Sequence, residues 1–361
     1  MARLLKDLSR RQFLKTAGSA TAVALAAPAF IRSASAADML AIGDAGGAYT
    51  AAWTKAFYEP FQAETGVAVI PVERRDNPAA EVRAVVETGN YRWDLCASIG
   101  QDVAHTLVEN DLLEPLDLSS DDVAAIPDTM KDDHFIASDV AAFILAYRTD
   151  AFHREITSYA DMWDVEGFPG RRGMRQFARD TIQIALLADG VPLAEIPTVL
   201  ADEAGWARAF AKLDAIRPNV DVWWSSASQT PTLLQTRETD ICPTFNSRAQ
   251  SVIDAGSPVK IVWNGGFFTN FGWVIPKGSP KADLARQFIS FCADPERQAV
   301  ACGEIGIGPS NPGAFDFIDP ARSASLPTLP ENLAQMGPLD FRFWGPVQEQ
   351  AAERFNNWLL S

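Results

Sequence analysis

The sequence predicts an α/β protein built as two lobes, and three observations carry that expectation. The chain opens with strand, glycine-rich turn, helix and strand, the start of a parallel α/β layer. Elements of the same kind recur beyond a β-like crossing near Phe143. Setting aside an N-terminal export leader leaves 325 of the 361 residues, more than one hydrophobic core usually organises.

Taken in order, Met39 to Gly43 reads as a strand, and Asp44-Ala45-Gly46-Gly47-Ala48-Tyr49 as the turn after it. Trp53, Phe57 and Phe61 then recur at helical spacing until Thr65-Gly66, and Val67 to Val72 forms the next strand. Trp93 to Ser98 is a strand that feeds a helix from Gln101 to Asn110. Phe143 to Tyr147 is expected to carry the chain into a second lobe. There the pattern predicts helices over Thr181–Asp189, ended by Gly190, over Glu203–Ile216, stopped before Pro218, and over Thr232–Thr236. Ile241–Phe245 and Val259–Trp263 read as strands, and Trp273–Pro276 as the return crossing. Lys281 to Gly303 is helical with a break at Pro295, and Leu339 to Leu360 is an aromatic-rich helix. The expected division is a leader at 1–36, lobe one at 37–141 plus 268–325, lobe two at 142–267, and a helical tail at 326–361.

The leader carries a specific message. Ser9-Arg10-Arg11-Gln12-Phe13-Leu14-Lys15 fits the twin-arginine export pattern, an Ala-rich apolar stretch follows to Phe30, and Ala34-Ser35-Ala36 is a small-residue cleavage site. The stretch is too short and too weakly apolar to span a bilayer. The twin-arginine translocase is therefore an expected partner and the periplasm the expected compartment. The leader removes six basic residues and only Asp7, so the remainder falls from a formal −15 to near −20. Such a surface repels nucleic acid and anionic lipid.

Catalytic and metal chemistry find little support. Cys96, Cys242, Cys292 and Cys302 show no C-x-x-C pair and read as buried hydrophobes, and His105, His134 and His153 are scattered. No metal, cofactor or catalytic residue is expected. The Asp44–Tyr49 turn lacks the Lys-Ser/Thr of a P-loop and the G-x-G-x-x-G of a dinucleotide fold, which leaves Gly46 and Gly47 as a backbone cradle for a polar group of a solute.

Several segments, in their order, resemble the spermidine/putrescine-type family of ABC solute-binding proteins. They are Gly46-Gly47-Ala48-Tyr49, Phe61 to Gly66, Asp94-Leu95, Leu145 to Phe152, Ser158 to Asp164, Phe168 to Arg172, Ala185 to Gly190, Trp223 to Ser226, Val274 to Ser279 and Ile307 to Pro312. The resemblance implies the type II periplasmic-binding-protein fold: two α/β lobes, a two-strand hinge, and ligand clamped between them. It also implies a binding subunit rather than an enzyme, expected to act as a monomer and deliver its solute to an ABC permease in the inner membrane.

The ligand chemistry departs from that family. Positions where polyamine binders resembling this chain hold acids are Phe177, Asp180 and Phe271 here, and Ile307 replaces the tyrosine of the closing motif. One carboxylate of three would leave a second ammonium unpaired, at a cost of several kcal/mol. The expected site is Asp180 as a charged contact or a helix cap, Tyr49, Trp224 and Phe245 as apolar walls, Ser98 or Asn246 as polar anchors, and Phe271 beside them. Arg175 and Arg179 flank Phe177, and Arg248 follows Phe245-Asn246-Ser247. Arginine forks suit carboxylate or phosphate, so an anionic or amphoteric solute is the alternative to a polyamine-like one. A secreted enzyme on the same fold is the other alternative.

Overall fold

The computed structural model describes residues 39–74 and 78–361, so the leader and its cleavage site lie outside the described residues. β1 (Met39–Asp44) and β2 (Ala68–Glu73) pair in parallel, connected by α1 (Gly47–Trp53), a π-helical turn at Thr54–Tyr58, and α2 (Glu59–Thr65). The wider turn keeps Trp53, Phe57 and Phe61 on one buried face, and Gly66 closes α2 at φ 75°, a left-handed geometry open to glycine. α3 (Ala79–Thr88) leads to β3 (Leu95–Gly100), which joins β1 in parallel, and α4 (Gln101–Glu109) follows directly.

The hinge is longer than the sequence suggests. β4 runs from Ile136 to Arg148, every residue buried, where periodicity marked only Phe143–Tyr147. A strand buried on both faces loses the polar alternation that makes strands legible. β8 (Val259–Val274) likewise joins into one 16-residue strand the two segments read separately from sequence. β4 and β8 run antiparallel from Ile136↔Trp273 to Arg148↔Val259, at the centre of a sheet ordered β2-β1-β3-β8-β4-β7-β5-β6.

Beyond the first crossing come α5 (Tyr159–Trp163), β5 (Arg172–Arg175), α6 (Ala178–Ala188), α7 (Glu203–Ile216), β6 (Val220–Trp224), α8 (Thr230–Gln235), β7 (Ile241–Phe245) and α9 (Asn246–Asp254). β5 pairs in parallel with both β6 and β7. After β8 the chain forms α10 (Ala282–Cys292) and α11 (Pro295–Ile305), separated at Pro295 as expected, then β9 (Gly308–Pro309), β10 (Gly337–Pro338) and the tail helix α12 (Phe341–Leu360).

Two hydrophobic cores result. One gathers Leu40, Trp53, Phe57, Trp93, Trp273 and Phe288; the other gathers Phe143, Met174, Trp206, Trp224, Trp344 and Phe355. Along β4 the change from one core to the other falls between Val140 and Ala142, and along β8 between Phe267 and Trp273. The tail belongs to the second core, and Trp344 Nε1 donates to Gln183 Oε1 of α6 at 2.8 Å. All four cysteines are free and buried, and burial pushes the Cys96 and Cys242 thiols up to about 12.

Candidate functional site

Parallel strands end where the next helix begins, so turns at their carboxyl ends converge on the gap between the lobes. On the second lobe β5 stops at Arg175 and α6 starts after Phe177, while the Gln176 N–H donates to the Trp224 carbonyl at the end of β6 at 2.7 Å. This lays the Arg175-to-Arg179 run across the strand ends. The Arg175 guanidinium sits 4.7 Å from the Phe177 ring centre, 5.3 Å from Phe245, 5.5 Å from Trp224 and 5.6 Å from Phe143. Four ring faces around one cation form a box that favours it by cation–π attraction. Arg175 Nη1 pairs with Asp180, whose other oxygen accepts from Arg179 Nε at 2.8 Å. Arg175 Nε is buried with no partner among the described residues.

Of the two sequence expectations for Asp180, the helix cap is not met. The residue lies in the first turn of α6, three residues past the Phe177 N-cap, and makes no capping hydrogen bond. Both its oxygens face arginines. Arg179 also reaches across the gap, its Nη1 4.0 Å from Asp102 Oδ2 on α4.

The first lobe presents turns and hydroxyls. Gly46 and Gly47 take φ of 82° and 57°, and the Gly46 N–H donates to Asp44 Oδ1 at 2.7 Å, so only part of the expected backbone cradle is open. Ser98 adopts φ 50° where β3 bulges against β8, and its Oγ is buried without a partner. The Ala97 and Ser98 carbonyls on either side accept from Arg74 at 2.7 and 2.8 Å. A serine held left-handed with an idle hydroxyl is a strained geometry of the kind found at binding sites.

The floor is the hinge. Tyr49 Oη on α1 donates to Asp139 Oδ2 on β4 at 3.4 Å, and Ser138 Oγ donates to Asp139 Oδ1 at 2.6 Å. Asp139 is wholly buried, and that burial raises its carboxyl to about 7 against the lesser pull of those two hydroxyls. Phe271 pairs opposite Asp139 on β8. Asn246 is also wholly buried and ties the hinge: its Oδ1 accepts the Ala142 N–H at 3.1 Å and its Nδ2 donates to the Gly306 carbonyl at 2.9 Å.

The structure therefore brings Arg179, Asp180, Trp224 and Phe245 into one cluster, and sets Tyr49 and Phe271 beside the hinge. Sequence reasoning missed Asp139, the box member Phe143, and the central place of Arg175. Asp139 had a signal: it is the one acid in the otherwise uncharged run from Phe135 to Tyr147. A groove of about 1200 Å³ runs past α4, where Asp102 also faces the gap, the end of α6 and residues 334–342, and none of the ten candidate residues lines it.

With this geometry in view, residues 56–331 match the bacterial extracellular solute-binding protein family. The chain belongs to that family. Residues 7–27 match the twin-arginine translocation signal, and export to the periplasm follows. A gamma-aminobutyric acid-binding protein of Pseudomonas aeruginosa is 34% identical over 315 residues, 87% of this chain and 88% of that protein. An ABC transporter substrate-binding protein of Bradyrhizobium japonicum superposes with TM-score 0.79 at 31% identity, over 89% of this chain and 99% of the other. A GABA receptor of known structure superposes with TM-score 0.75 at 27% identity, over 88% and 97%. This solute-binding protein is thus an ABC transporter subunit with the two-lobed α/β fold of its relatives, which are binding proteins and not enzymes.

Proposed function

We propose that this binding protein captures a small amphoteric solute, carrying both an amine and a carboxylate, and delivers it to its ABC permease. The observation that carries this reading is the boxed Arg175, whose buried Nε has no hydrogen-bond partner among the described residues and so retains a donor for a carboxylate. Charges of both signs also meet at the gap, with Arg175 and Arg179 against Asp102 and Asp180. A solute with one charge of each sign leaves their sum unchanged. The names of the relatives, a gamma-aminobutyric acid-binding protein and a GABA receptor, point to the same class.

A spermidine/putrescine-type ligand fits less well. Asp180 is neutralised by two arginines, so a diamine would bring two ammonium groups to a site with too few free carboxylates, at a cost of several kcal/mol. Calorimetric titration with 4-aminobutanoate, putrescine and butanoate tests the proposal. Binding of the amino acid well above both others is expected. Putrescine binding in preference to it would overturn the amphoteric reading in favour of a polyamine, and equal binding of butanoate would make the solute simply an anion.

A further inference from the structure

The cluster on the second lobe offers a carboxylate receptor, but its own acid is already engaged. Resting on the amphoteric reading, we infer that the hinge carboxylate Asp139, with Tyr49 beside it, is the group that receives the solute's ammonium. Three geometric observations support this. Among the described residues two buried acids, Asp139 and Asp44, form no ion pair, whereas Asp94, Asp180 and Asp240 each face a lysine or arginine; Asp44 is taken up by the Gly46 N–H and the Thr50 and Tyr58 hydroxyls. The two hydrogen bonds to Asp139 come from neutral hydroxyls, and the one from Tyr49 is long at 3.4 Å, so an incoming ammonium has a weak donor to displace and a lone pair on each oxygen to meet.

The second observation is span. Asp139 and Phe143 lie four residues apart in an unbroken stretch of β4 register, on one face of the strand and ~13 Å apart along it. Phe143 is a wall of the Arg175 box. A four-carbon ω-amino acid covers ~6 Å from its nitrogen to its farther carboxylate oxygen at ordinary bond lengths, and a hydrogen bond of ~2.8 Å at each end extends this to ~12 Å. The stretch is thus of the order of length that such a solute spans, with Asp139 at one end and the Arg175 guanidinium over the Phe143 ring at the other.

The third is position. α1 from the first lobe reaches Asp139 through Tyr49, and α9 from the second is tied to the same strand through Asn246 and the Ala142 N–H. The Arg248 guanidinium is exposed, has no ion pair or hydrogen bond among the described residues, and acts electrostatically on the Tyr49 hydroxyl. Filling the Asp139 pole places a charge on the strand that joins the lobes, where both helices meet it.

Binding of an ammonium at Asp139 depends on pH. The ionisable groups facing Asp139 are Tyr49 from α1, Cys302 from α11 and Arg248 by way of Tyr49 from α9; β8 and β9 contribute only Phe271 and Pro309. Burial holds the tyrosine and the thiol protonated across the accessible range. Asp139 is therefore the group whose proton competes with the ammonium. Affinity for 4-aminobutanoate should weaken towards tenfold per pH unit as pH falls below about 7, with release of a proton on binding in that range.

Calorimetry of the full mature protein tests it, with 4-aminobutanoate and butanoate as probes, wild type beside Asp139→Asn, at pH 6 and 8 in buffers of differing ionisation enthalpy. The expected result is at least tenfold preference for the amino acid in wild type, proton release at pH 6, and loss of both in Asp139→Asn. Proton release in wild type is read without the variant, so a poorly folding mutant does not block the test. If wild type prefers the amino acid but releases no proton and Asp139→Asn keeps the preference, Asp139 is not the ammonium receptor, and the amphoteric reading stands. If wild type binds neither probe or both equally, the amphoteric reading fails and this inference falls with it.

Discussion

The two sides of the gap are built on opposite terms. On the second lobe Asp180 has two arginines, Arg175 has four ring faces, and Trp224 is wholly buried behind them. On the first lobe and the hinge the polar groups are under-engaged: Ser98 Oγ has no partner, Asp139 has no cation, and Tyr49 reaches it loosely. A wall whose charges are paired, even with Arg175 Nε and Trp224 Nε1 left without hydrogen-bond partners among the described residues, contributes stability before any solute arrives. A wall whose groups are idle gives up stability and gains it back on binding, the usual trade between stability and function. The same substitution made on each side should therefore act in opposite directions.

The pair of carboxylates gives the sharpest break. Asp180→Asn leaves two largely buried guanidinium groups facing a neutral amide, and breaking such a buried pair costs about 3–5 kcal/mol. A drop of that size in the free energy from urea unfolding, at unchanged slope, is expected at pH 7. Asp139→Asn should do the reverse. The native carboxyl titrates at about 7 against ~3.9 in the unfolded chain, so its contribution to stability is fully present below ~4 and is lost as pH rises through 7. Asparagine removes that loss. The variant should match wild type below about pH 4 and exceed it at pH 8, by at most about 4 kcal/mol. Equal destabilisation by both substitutions would erase the contrast between the walls.

Asn246 tests the hinge that separates them. Asn246→Ala leaves the Ala142 N–H and the Gly306 carbonyl buried without their partner, at a cost of about 1–3 kcal/mol. Because those groups sit on the hinge and at the end of α11, the loss should also widen the distribution of lobe separations in solution scattering of the unliganded protein. A stability loss with an unchanged scattering profile would make Asn246 a core staple with no part in lobe motion.

Legibility in the sequence followed the same division. Elements bounded by glycine or proline were read closely: Gly66 closes α2, Pro295 separates α10 from α11, and Gly190 at φ 82° follows α6. The short strands β5 and β6 and the helix α9 went unread, because Arg172–Arg175 and Val220–Trp224 are too brief to show a period. At the site, aromatic and arginine positions such as Trp224, Phe245 and Arg179 were recoverable from the family pattern. The partnership of Asp180 was not, since its arginines lie one and five residues away and only the turn into α6 folds them onto it. Asp139 stayed hidden because Tyr49 lies 90 residues away in sequence, and only the packing of α1 on the hinge reveals the contact.

The smallest effect belongs to Ser98, and two substitutions there separate strain from recognition. At φ 50° a residue with a side chain is held in the left-handed region at a cost of roughly 1–2 kcal/mol, which glycine does not incur. Glycine also loosens the unfolded chain, which takes back ~0.4–1 kcal/mol, so Ser98→Gly should stabilise the unliganded protein by about 1 kcal/mol or less. Ser98→Ala keeps the strain and removes a buried hydroxyl that has no partner, so its stability should equal or slightly exceed that of wild type. Binding discriminates further. A hydroxyl that donates to the bound solute is worth ~0.5–1.5 kcal/mol, so both variants should lose up to about tenfold in affinity for 4-aminobutanoate while neither loses stability. Unchanged affinity in both would leave the strained serine outside the site. Loss in Ser98→Gly alone would mean that the rigid bulge, and not the hydroxyl, shapes the first-lobe wall.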